Sequence, residues 1–574
     1  MITAKLYHSL ISVLPGSEPQ GDQLREWTLC NNEAFSFQLA YRITDGSDKA
    51  TPFFLRVHTD LPVSVCQAGC VPVLHGDVPG LEPAPPVGMY PDVLIPRKTN
   101  PNLIRQDKQE IAGNFRYIAE GEPNQLFAYS DSWQTLWLTV NETGSAVLPG
   151  VHALELELLG HTLEPIGQAV LTLTVLDAAL PRQSLIYTNW LHCDCICDHY
   201  GVELFSDRFF GILESFVEKA AQNGMNMVLT PCFTPPLDTA VGQERMTVQL
   251  VKIRREKDEY SFDFSLLKRF VALCQRAGIR YFEHSHLFTQ WGARHAPKIV
   301  AEVDGTQTRI FGWETDAAGA EYVRFLRCYL TRLRQFLQEN DLEDKILFHI
   351  SDEPREDQLD GYQAALSGIE DLLEGFMVGD ALSDPAFFES GLVKIPIART
   401  KTAHLFAGKG DNIWCYYIGR DLDKRMCNRL IQLPRQRNRF LGIQLYRFRM
   451  RGFLHWGYNY YYGELSTGRF DPFRDPCGGF PSAGTSFFVY PGDDGTAWQS
   501  IRQKIFGEGL QDQRALELLE SLAGRESCED LLSAHFGPAD FYDSPETPEK
   551  FIAFRQELNR RLRDSVTDGL LPPL

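Results

Sequence analysis

The segment Phe348-His349-Ile350-Ser351-Asp352-Glu353-Pro354 runs an apolar stretch directly into two adjacent carboxylates and stops at a proline. Neighbouring residues in a strand point to opposite faces, so two consecutive acids serve one site only where the strand ends. Pro354 disfavours the helical region for Glu353 and predicts an extended backbone there. Two differently placed carboxylates suit glycoside chemistry, in which one acid donates a proton and another group stabilises developing positive charge. On its own, Asp-Glu-Pro is an ordinary solvated turn. The apolar run in front of it is what points to chemistry.

Four further clusters could share a site with that pair. Gly452 to Tyr462 (GFLHWGYNYYY) delivers His455, Trp456, Tyr458 and Asn459 to one rim. Aromatic faces interleaved with polar groups suit a sugar, whose C–H faces stack while its hydroxyls hydrogen-bond. The same residues would also serve as an aromatic core edge. In Tyr281–His286 (YFEHSH), Glu283 is placed to act as a third carboxylate or to accept from a sugar hydroxyl. His284 and His286 have strand spacing for a metal, but no further ligands stand at compatible distances in sequence. The run His192-Cys193-Asp194-Cys195-Ile196-Cys197-Asp198-His199 is rich in metal-binding types, yet it lacks the paired CxxC spacing of structural zinc. It reads as a polar strand-end loop lining a cleft with Asn189, Trp190, His192 and Asp194. The long segment Thr230–Tyr260 reads as an ordered cleft wall, with Asp238 and Arg245 paired structurally.

The elements that must position these residues change character along the chain. Glu33–Tyr41, His152–Leu158 and Leu171–Val175 alternate apolar and polar residues between Gly/Pro turns, which predicts an N-terminal antiparallel β-sandwich. The Pro-rich stretch Pro79–Pro101 reads as an ordered loop rather than a strand. After Pro181 short apolar runs alternate with helical ones. The strand candidates are Leu185–Trp190, Asn226–Thr230, Ile279–Glu283, Lys345–Ile350, Gly375–Gly379, Val393–Pro396, Asn412–Tyr416 and Gly452–Trp456. The helical stretches are Asp207–Asn223, Leu266–Ala277, Ala320–Glu339, Gln358–Glu374 and Lys424–Arg435. This pattern predicts a (β/α)8 TIM-like barrel, whose working residues stand at the C-terminal ends of its strands. A doubly wound α/β fold is the alternative, but no GxGxxG or phosphate-loop sequence opens a helix. The expected domains are a sandwich at 1–180, a catalytic barrel at 181–496, and a C-terminal helical segment packing on it at 497–574.

Composition narrows the partners. The 574 residues carry 56 basic against 75 acidic side chains, a net charge of −19, with 44% hydrophobic content. That is a folded chain without the basic stripe a general nucleic-acid binder needs, and anionic membranes would repel it. No window holds the roughly 18 apolar residues of a membrane span. The start, MITAKLYHSLISVLPGSEP, lacks the apolar core of a secretory signal. Thirteen cysteines are too sparse for a disulfide scaffold. The expectation is a cytoplasmic protein with reduced thiols.

With these motifs in order, the chain resembles glycoside hydrolase family 123 and its wider relatives, catalogued as domain of unknown function 4091. The resemblance rests on PDVLIP (Pro91–Pro96), TNWLHCDC (Thr188–Cys195), TPPLDT (Thr234–Thr239), HLFTQWGA (His286–Ala293) and PK (Pro297–Lys298). It continues through FGW (Phe311–Trp313), HISDEP (His349–Pro354), GFLHWGYN (Gly452–Asn459) and VYPG (Val489–Gly492). PSAGT at Pro481–Thr485 departs from the family's PxGD pattern, so no Asp stands there. The resemblance implies hydrolysis of terminal β-linked N-acetylgalactosamine by a retaining, substrate-assisted mechanism without metal or organic cofactor. Glu353 would be the general acid/base, and Asp352 would orient the 2-acetamido group and stabilise the oxazolinium intermediate. The substrate would be a small glycan or glycoconjugate, held by Asn189, Trp190, His192, Asp238, Glu283, His286, Trp313, Tyr416, Trp456, Tyr458 and Asn459. A β-N-acetylglucosaminidase or another β-glycosidase on the same scaffold, a non-catalytic glycan-binding protein, and a metal-dependent hydrolase built on the His/Cys clusters are the competing readings. Oligomeric state leaves no mark in a single sequence.

Overall fold

The computed structural model describes residues 2–44, 50–74, 78, 85–97, 125–160, 163–538 and 540–567. Its first third holds β1 (Ile2–His8), β2 (Glu26–Cys30), β3 (Phe35–Ile43), β4 (Thr51–His58) and β5 (Val63–Val73). These are followed by β6 (Gly88–Arg97), β7 (Leu126–Ala128), β8 (Gln134–Val140), β9 (Gly150–Leu159) and β10 (Pro165–Leu176). They form two five-stranded sheets, β1-β3-β8-β5-β6 and β2-β10-β9-β4-β7. Period-two alternation sorts the faces. In β9, Leu154, Leu156 and Leu158 are buried against Phe37, Leu39 and Leu136 of the other sheet, while Glu155 is exposed. The alternate face of β3 is buried as well: the Ser36 N–H donates to Glu508, and the Gln38 amide donates to the carbonyls of His8 and Ile11. That face docks onto the rest of the molecule instead of meeting water.

The second part begins with β11 (Ile186–Asn189), α1 (Cys193–Tyr200), α2 (Asp207–Gln222) and β12 (Met227–Thr230). Next come β13 (Lys252–Glu256), β14 (Glu259–Asp263), α3 (Ser265–Arg276), β15 (Tyr281–His284), β16 (Ile299–Val303), β17 (Thr306–Phe311) and α4 (Ala320–Glu339). After β18 (Ile346–Phe348) stand α5 (Leu359–Ser367), α6 (Glu370–Leu373), β19 (Met377–Leu382), α7 (Ala386–Glu389), β20 (Ile395–Arg399) and β21 (Trp414–Tyr416). The chain closes with α8 (Arg435–Arg439), α9 (Leu441–Arg447), β22 (Gly452–His455), β23 (Val489–Pro491), β24 (Ala497–Gln499), α10 (Ile501–Phe536) and α11 (Pro548–Thr567).

Eight of these strands, β11-β12-β15-β18-β19-β20-β21-β22, close a barrel in which every neighbouring pair is parallel. Its interior is filled by Met227, Leu229, Leu347, Ala381, Ile397 and Leu454. Outside it, α4 lays down Tyr322, Phe325, Leu326, Tyr329 and Leu333 at three- and four-residue spacing, all buried. Ser206 caps α2, its side chain accepting from the Phe209 N–H at 3.2 Å. The crossing of α9 and α10 demands glycine: a Cβ on Gly442 would lie 1.8 Å from the Gly509 carbonyl oxygen.

Several expectations need correction. The regular (β/α)8 TIM-like barrel with a wholly antiparallel sandwich is not what forms. The parallel barrel closes, but no full ring of helices surrounds it: β19 and β20 are joined through the four-residue α7, and β20 and β21 through a single 3₁₀ turn at Ala403–Leu405. A four-stranded sheet, β14-β13-β16-β17, is inserted beside the barrel, and β2 joins the sandwich parallel to β10. The expected helix Lys424–Arg435 is irregular, and side-chain hydrogen bonds tie the segment to neighbouring backbone. The Asn428 amide donates to Ile418 and Asp421, and the Arg437 guanidinium to Met426. Residues 88–97, expected as loop, are the edge strand β6, where Pro91 and Pro96 are tolerated because one side of the strand has no ladder to complete. Residues 79–84 and 98–101 of that loop lie outside the described residues. The Thr230–Tyr260 wall contains β13 and the start of β14.

Candidate active site

Beyond β18 the backbone turns sharply at the C-terminal mouth of the barrel. Glu353 has φ +43°, a left-handed conformation and not the extended one its following proline suggested. Pro354 excludes the right-handed helix, and tertiary hydrogen bonds choose between the remaining basins. The Trp291 N–H donates to the Asp352 carbonyl at 2.9 Å. Ser351 Oγ donates to the Thr289 carbonyl at 2.8 Å and accepts from the N–H groups of Gly292 and Ala293. Asp238, Trp291 and Ala293, around the same mouth, have φ of +44°, +61° and +55°. Left-handed non-glycine residues cost of order 1–3 kcal/mol each and gather where function over-determines the backbone.

Asp352 and Glu353 are half-buried and adjacent. Burial and the neighbouring Glu353 charge push the Asp352 carboxyl well above the usual carboxylate range. Tyr416, at the end of β21, donates its phenol to Glu353 Oε1, and burial raises that phenol far above its ordinary value, so it stays a donor.

Beneath the pair lies a polar cluster without solvent exposure. Glu283 of β15 accepts from Thr188 Oγ1, Trp190 Nε1 and His349 Nε2, each at 2.6 Å. His349 Nδ1 faces Asp380 Oδ1 at 3.3 Å. Asp380 in turn accepts from the N–H groups of Ile350 and Ser351 and from the Tyr362 hydroxyl. Burial opposes a charge on His349, but the hydrogen bonds and charges of Asp380 and Glu283 prevail and hold it up at about 10. His286 stacks on that ring at 4.5 Å between centroids and meets Trp190 edge-on at 5.3 Å. Burial, with the His349 charge, keeps His286 neutral. Neither nitrogen of His286 has a hydrogen-bond partner among the described residues, and the same holds for Asn189 Oδ1, Thr289 Oγ1, Gln290 Oε1 and Asp238 Oδ2. An unpartnered buried polar atom costs about 1–3 kcal/mol, and such atoms also occur away from the mouth, at His8 Nε2, Tyr41 Oη and Trp137 Nε1 among others.

The other residues singled out from the sequence divide. Trp456 stands half-buried against Tyr460 and Phe480. Asn459 makes a reciprocal amide pair with the backbone of His192, at 2.8 and 3.0 Å, and staples the loops after β11 and β22 together. The His192 ring bonds the Trp456 carbonyl and the Arg245 guanidinium; burial and that guanidinium lower it to about 4. Tyr458 points away from the mouth, donating to the Phe216 carbonyl of α2. Trp313 lines a small recess of about 20 Å³ with Thr234, Pro235, Thr289 and Arg309, its indole bonded to the Gln243 carbonyl. Arg245 does not pair with Asp238. It binds Asp194 through two 2.8 Å contacts and lies over the Tyr460 and Tyr462 rings. Residues 193–200 are helix α1 and not a loop. His284 turns outward to the Tyr329 hydroxyl, away from His286. Among the described residues no group of three His, Cys, Asp or Glu side chains is arranged to hold a metal ion, and no helix is long and apolar enough to cross a membrane.

Set beside known proteins, residues 190–519 match the glycoside hydrolase 123 catalytic domain, more than half of the 574-residue chain. The chain belongs to glycoside hydrolase family 123. A solved family 123 glycoside hydrolase from Clostridium perfringens, studied for the details of glycolipid glycan hydrolysis, matches at 14% identity over 99% of both chains with a TM-score of 0.70. At that identity the likeness speaks for the fold. The β-glucuronidases of Parabacteroides merdae (10% identity, 79% of this chain and 47% of that one, TM-score 0.27) and Bifidobacterium dentium (8%, 89% and 67%, 0.30) are too distant in shape to carry an argument. No protein of curated function matches in sequence.

Within this family 123 glycosidase, sequence reasoning gave no role to His349, Asp380, Tyr362 or Thr188. Asp380 did leave a signal: it is a lone acid inside the apolar run Phe376–Leu382, and a charge in a buried strand must have a partner.

Proposed function

We propose that this glycosidase removes terminal β-linked N-acetylgalactosamine with retention, the substrate's own acetamido group acting as nucleophile. The observation that carries the reading is the placement of Asp352 and Glu353 on consecutive residues at one strand end. A double-displacement enzyme sets its two carboxyl groups on opposite faces of the sugar, about 5–5.5 Å apart, whereas a substrate that brings its own nucleophile needs no acid on the far face. Glu353, held by Tyr416, gives its proton to the glycosidic oxygen as the bond to the anomeric carbon breaks. The acetamido carbonyl oxygen bonds that carbon, and Asp352 accepts the N–H of the resulting oxazolinium ion. Water then attacks the same carbon, Glu353 takes its proton, and the acetamido group is released. An N–H donating to Asp352 offsets the burial that otherwise resists its ionisation. Half-buried Trp456 offers the sugar an aromatic wall. The glycolipid glycan named for the Clostridium perfringens relative supports a glycoconjugate as substrate. The thirteen unpaired cysteines support a reducing, cytoplasmic setting.

The test compares 4-nitrophenyl glycosides of β-N-acetylgalactosamine, β-N-acetylglucosamine and β-galactose. The first should turn over and the last should not, and Glu353→Gln should lose about 10²–10⁴-fold. Turnover of the glucosamine derivative alone would change the sugar and keep the mechanism. Equal turnover of the galactoside would sink the substrate-assisted step.

A further inference from the structure

The β18–β19 ladder is short, pairing only Leu347 with Met377 and Phe348 with Val378. The next peptide N–H groups of that strand therefore leave the ladder inside the protein, where each needs an acceptor. Asp380 supplies it: Oδ1 accepts from Ile350 N–H at 3.0 Å and Oδ2 from Ser351 N–H at 3.1 Å. Asp352 and Glu353 are the next two residues. The Asp380 carboxylate thus stands in for a strand at the point where the catalytic segment departs from it. Asp380 is fixed by the Tyr362 hydroxyl from α5 and by His349.

His349 lies between Asp380 and Glu283 with a nitrogen toward each, which makes both nitrogens donors and the ring an imidazolium. Glu283 of β15 and Asp380 of β19 bond it, His286 stacks on it, and its charge is felt by His284 and by Asp352. Arg399 of β20, bound to Asp421 at 2.6 Å, faces Glu353 one layer higher. Around Asp352 the negative groups outnumber the positive. Glu353, Asp380 and Glu283 oppose its ionisation, and His349 favours it.

We propose that Asp380 and His349 are positioning residues for the catalytic pair, Asp380 fixing the peptide that carries Asp352 and Glu353 and the His349 imidazolium supplying the positive charge that lets Asp352 act as an anion. This rests on the reading of Asp352 and Glu353 given above. It assigns them a support that a neutral structural contact would not provide, because the two supports act on Asp352 with opposite sign.

The experiment measures kcat and KM for 4-nitrophenyl β-N-acetylgalactosaminide across pH, together with the ¹³C titration of the labelled Asp signal that Asp352→Asn removes from the spectrum of the free protein. His349→Gln is expected to lower kcat by about tenfold or more with KM little changed, and to move the acidic limb and the Asp352 titration to higher pH. Asp380→Asn should move both to lower pH. Asp380→Glu keeps the charge and loses the peptide contacts, and should lower kcat without moving the limb; it carries the test if Asp380→Asn does not fold. Unmoved limbs and titrations in His349→Gln and Asp380→Asn, or full kcat in Asp380→Glu, would overturn the proposal. Titrations that move as expected in a protein that hydrolyses none of the three glycosides would uphold the support of Asp352 and place the failure on the proposed activity.

Discussion

Two buried charge clusters sit at different levels of this molecule and are built on different terms. Between sandwich and barrel, Arg439 binds Asp512 and Glu508 at 2.7 Å, and Arg555 binds Glu33 at 2.7 Å and Asp512 as well. Glu508 also accepts from Ser9 Oγ and the Ser36 N–H. Each guanidinium fork meets more than one carboxylate, so charge and hydrogen-bonding capacity are both used up. Burial opposes the charge on Arg555, yet Glu33 and Asp512 hold it above its ordinary value. At the barrel mouth the arrangement is reversed: Asp352 is short of positive partners, several polar atoms have none, and four residues including Glu353 sit in left-handed backbone. Completed burial joins domains. Incomplete burial is where a ligand has something to gain.

The contrast can be broken most severely at the junction. Arg555→Ala leaves Glu33 and Asp512 buried without their cation and should cost about 3–5 kcal/mol in denaturant unfolding, with kcat of the folded fraction preserved. An effect on kcat larger than on stability would show that the two clusters are coupled.

Asp352→Asn should move stability the other way. A carboxyl raised in the folded state contributes stability that is present below the ordinary carboxylate range and lost as pH rises through its folded value. Asparagine has no proton to lose, so the variant should gain about 0.5–2 kcal/mol at neutral pH, and the gain should vanish below about pH 4. A variant no more stable than the parent at pH 7 would mean that Asp352 is well satisfied without substrate.

Ala293→Gly sharpens the comparison at its smallest scale. Relief of about 1–2 kcal/mol of left-handed strain, less the roughly 0.4–1 kcal/mol that glycine adds to unfolded-chain entropy, leaves a gain of about 0.8 kcal/mol in melting experiments. A loss there would make the methyl group's packing the stronger effect.

The mouth was legible in part. An apolar run ending in two acids and a proline is a local pattern, and the strand it implies at Lys345–Ile350 forms as β18, which already stops at Phe348. In the aromatic run after β22, Trp456 and Tyr458 would share a face only while the strand lasted, and β22 ends at His455, so Tyr458 turns back to α2 instead of joining the rim. Asp238 and Arg245, close in sequence, were the natural pair, but Asp194 offers Arg245 both oxygens in one plane.

The sequence by itself determined the approximate positions of the eight barrel strands and the presence of two carboxylates just beyond one of them, because periodicity and composition act over a few residues. Only the tertiary structure decided that Glu283, His349 and Asp380, 66 and 31 residues apart along the chain, form one cluster. It also decided that Glu353 takes a left-handed turn, and that the barrel closes without a full ring of helices. These depend on which strands become neighbours and which buried groups then find partners. That is set by closing the barrel, and no local preference encodes it.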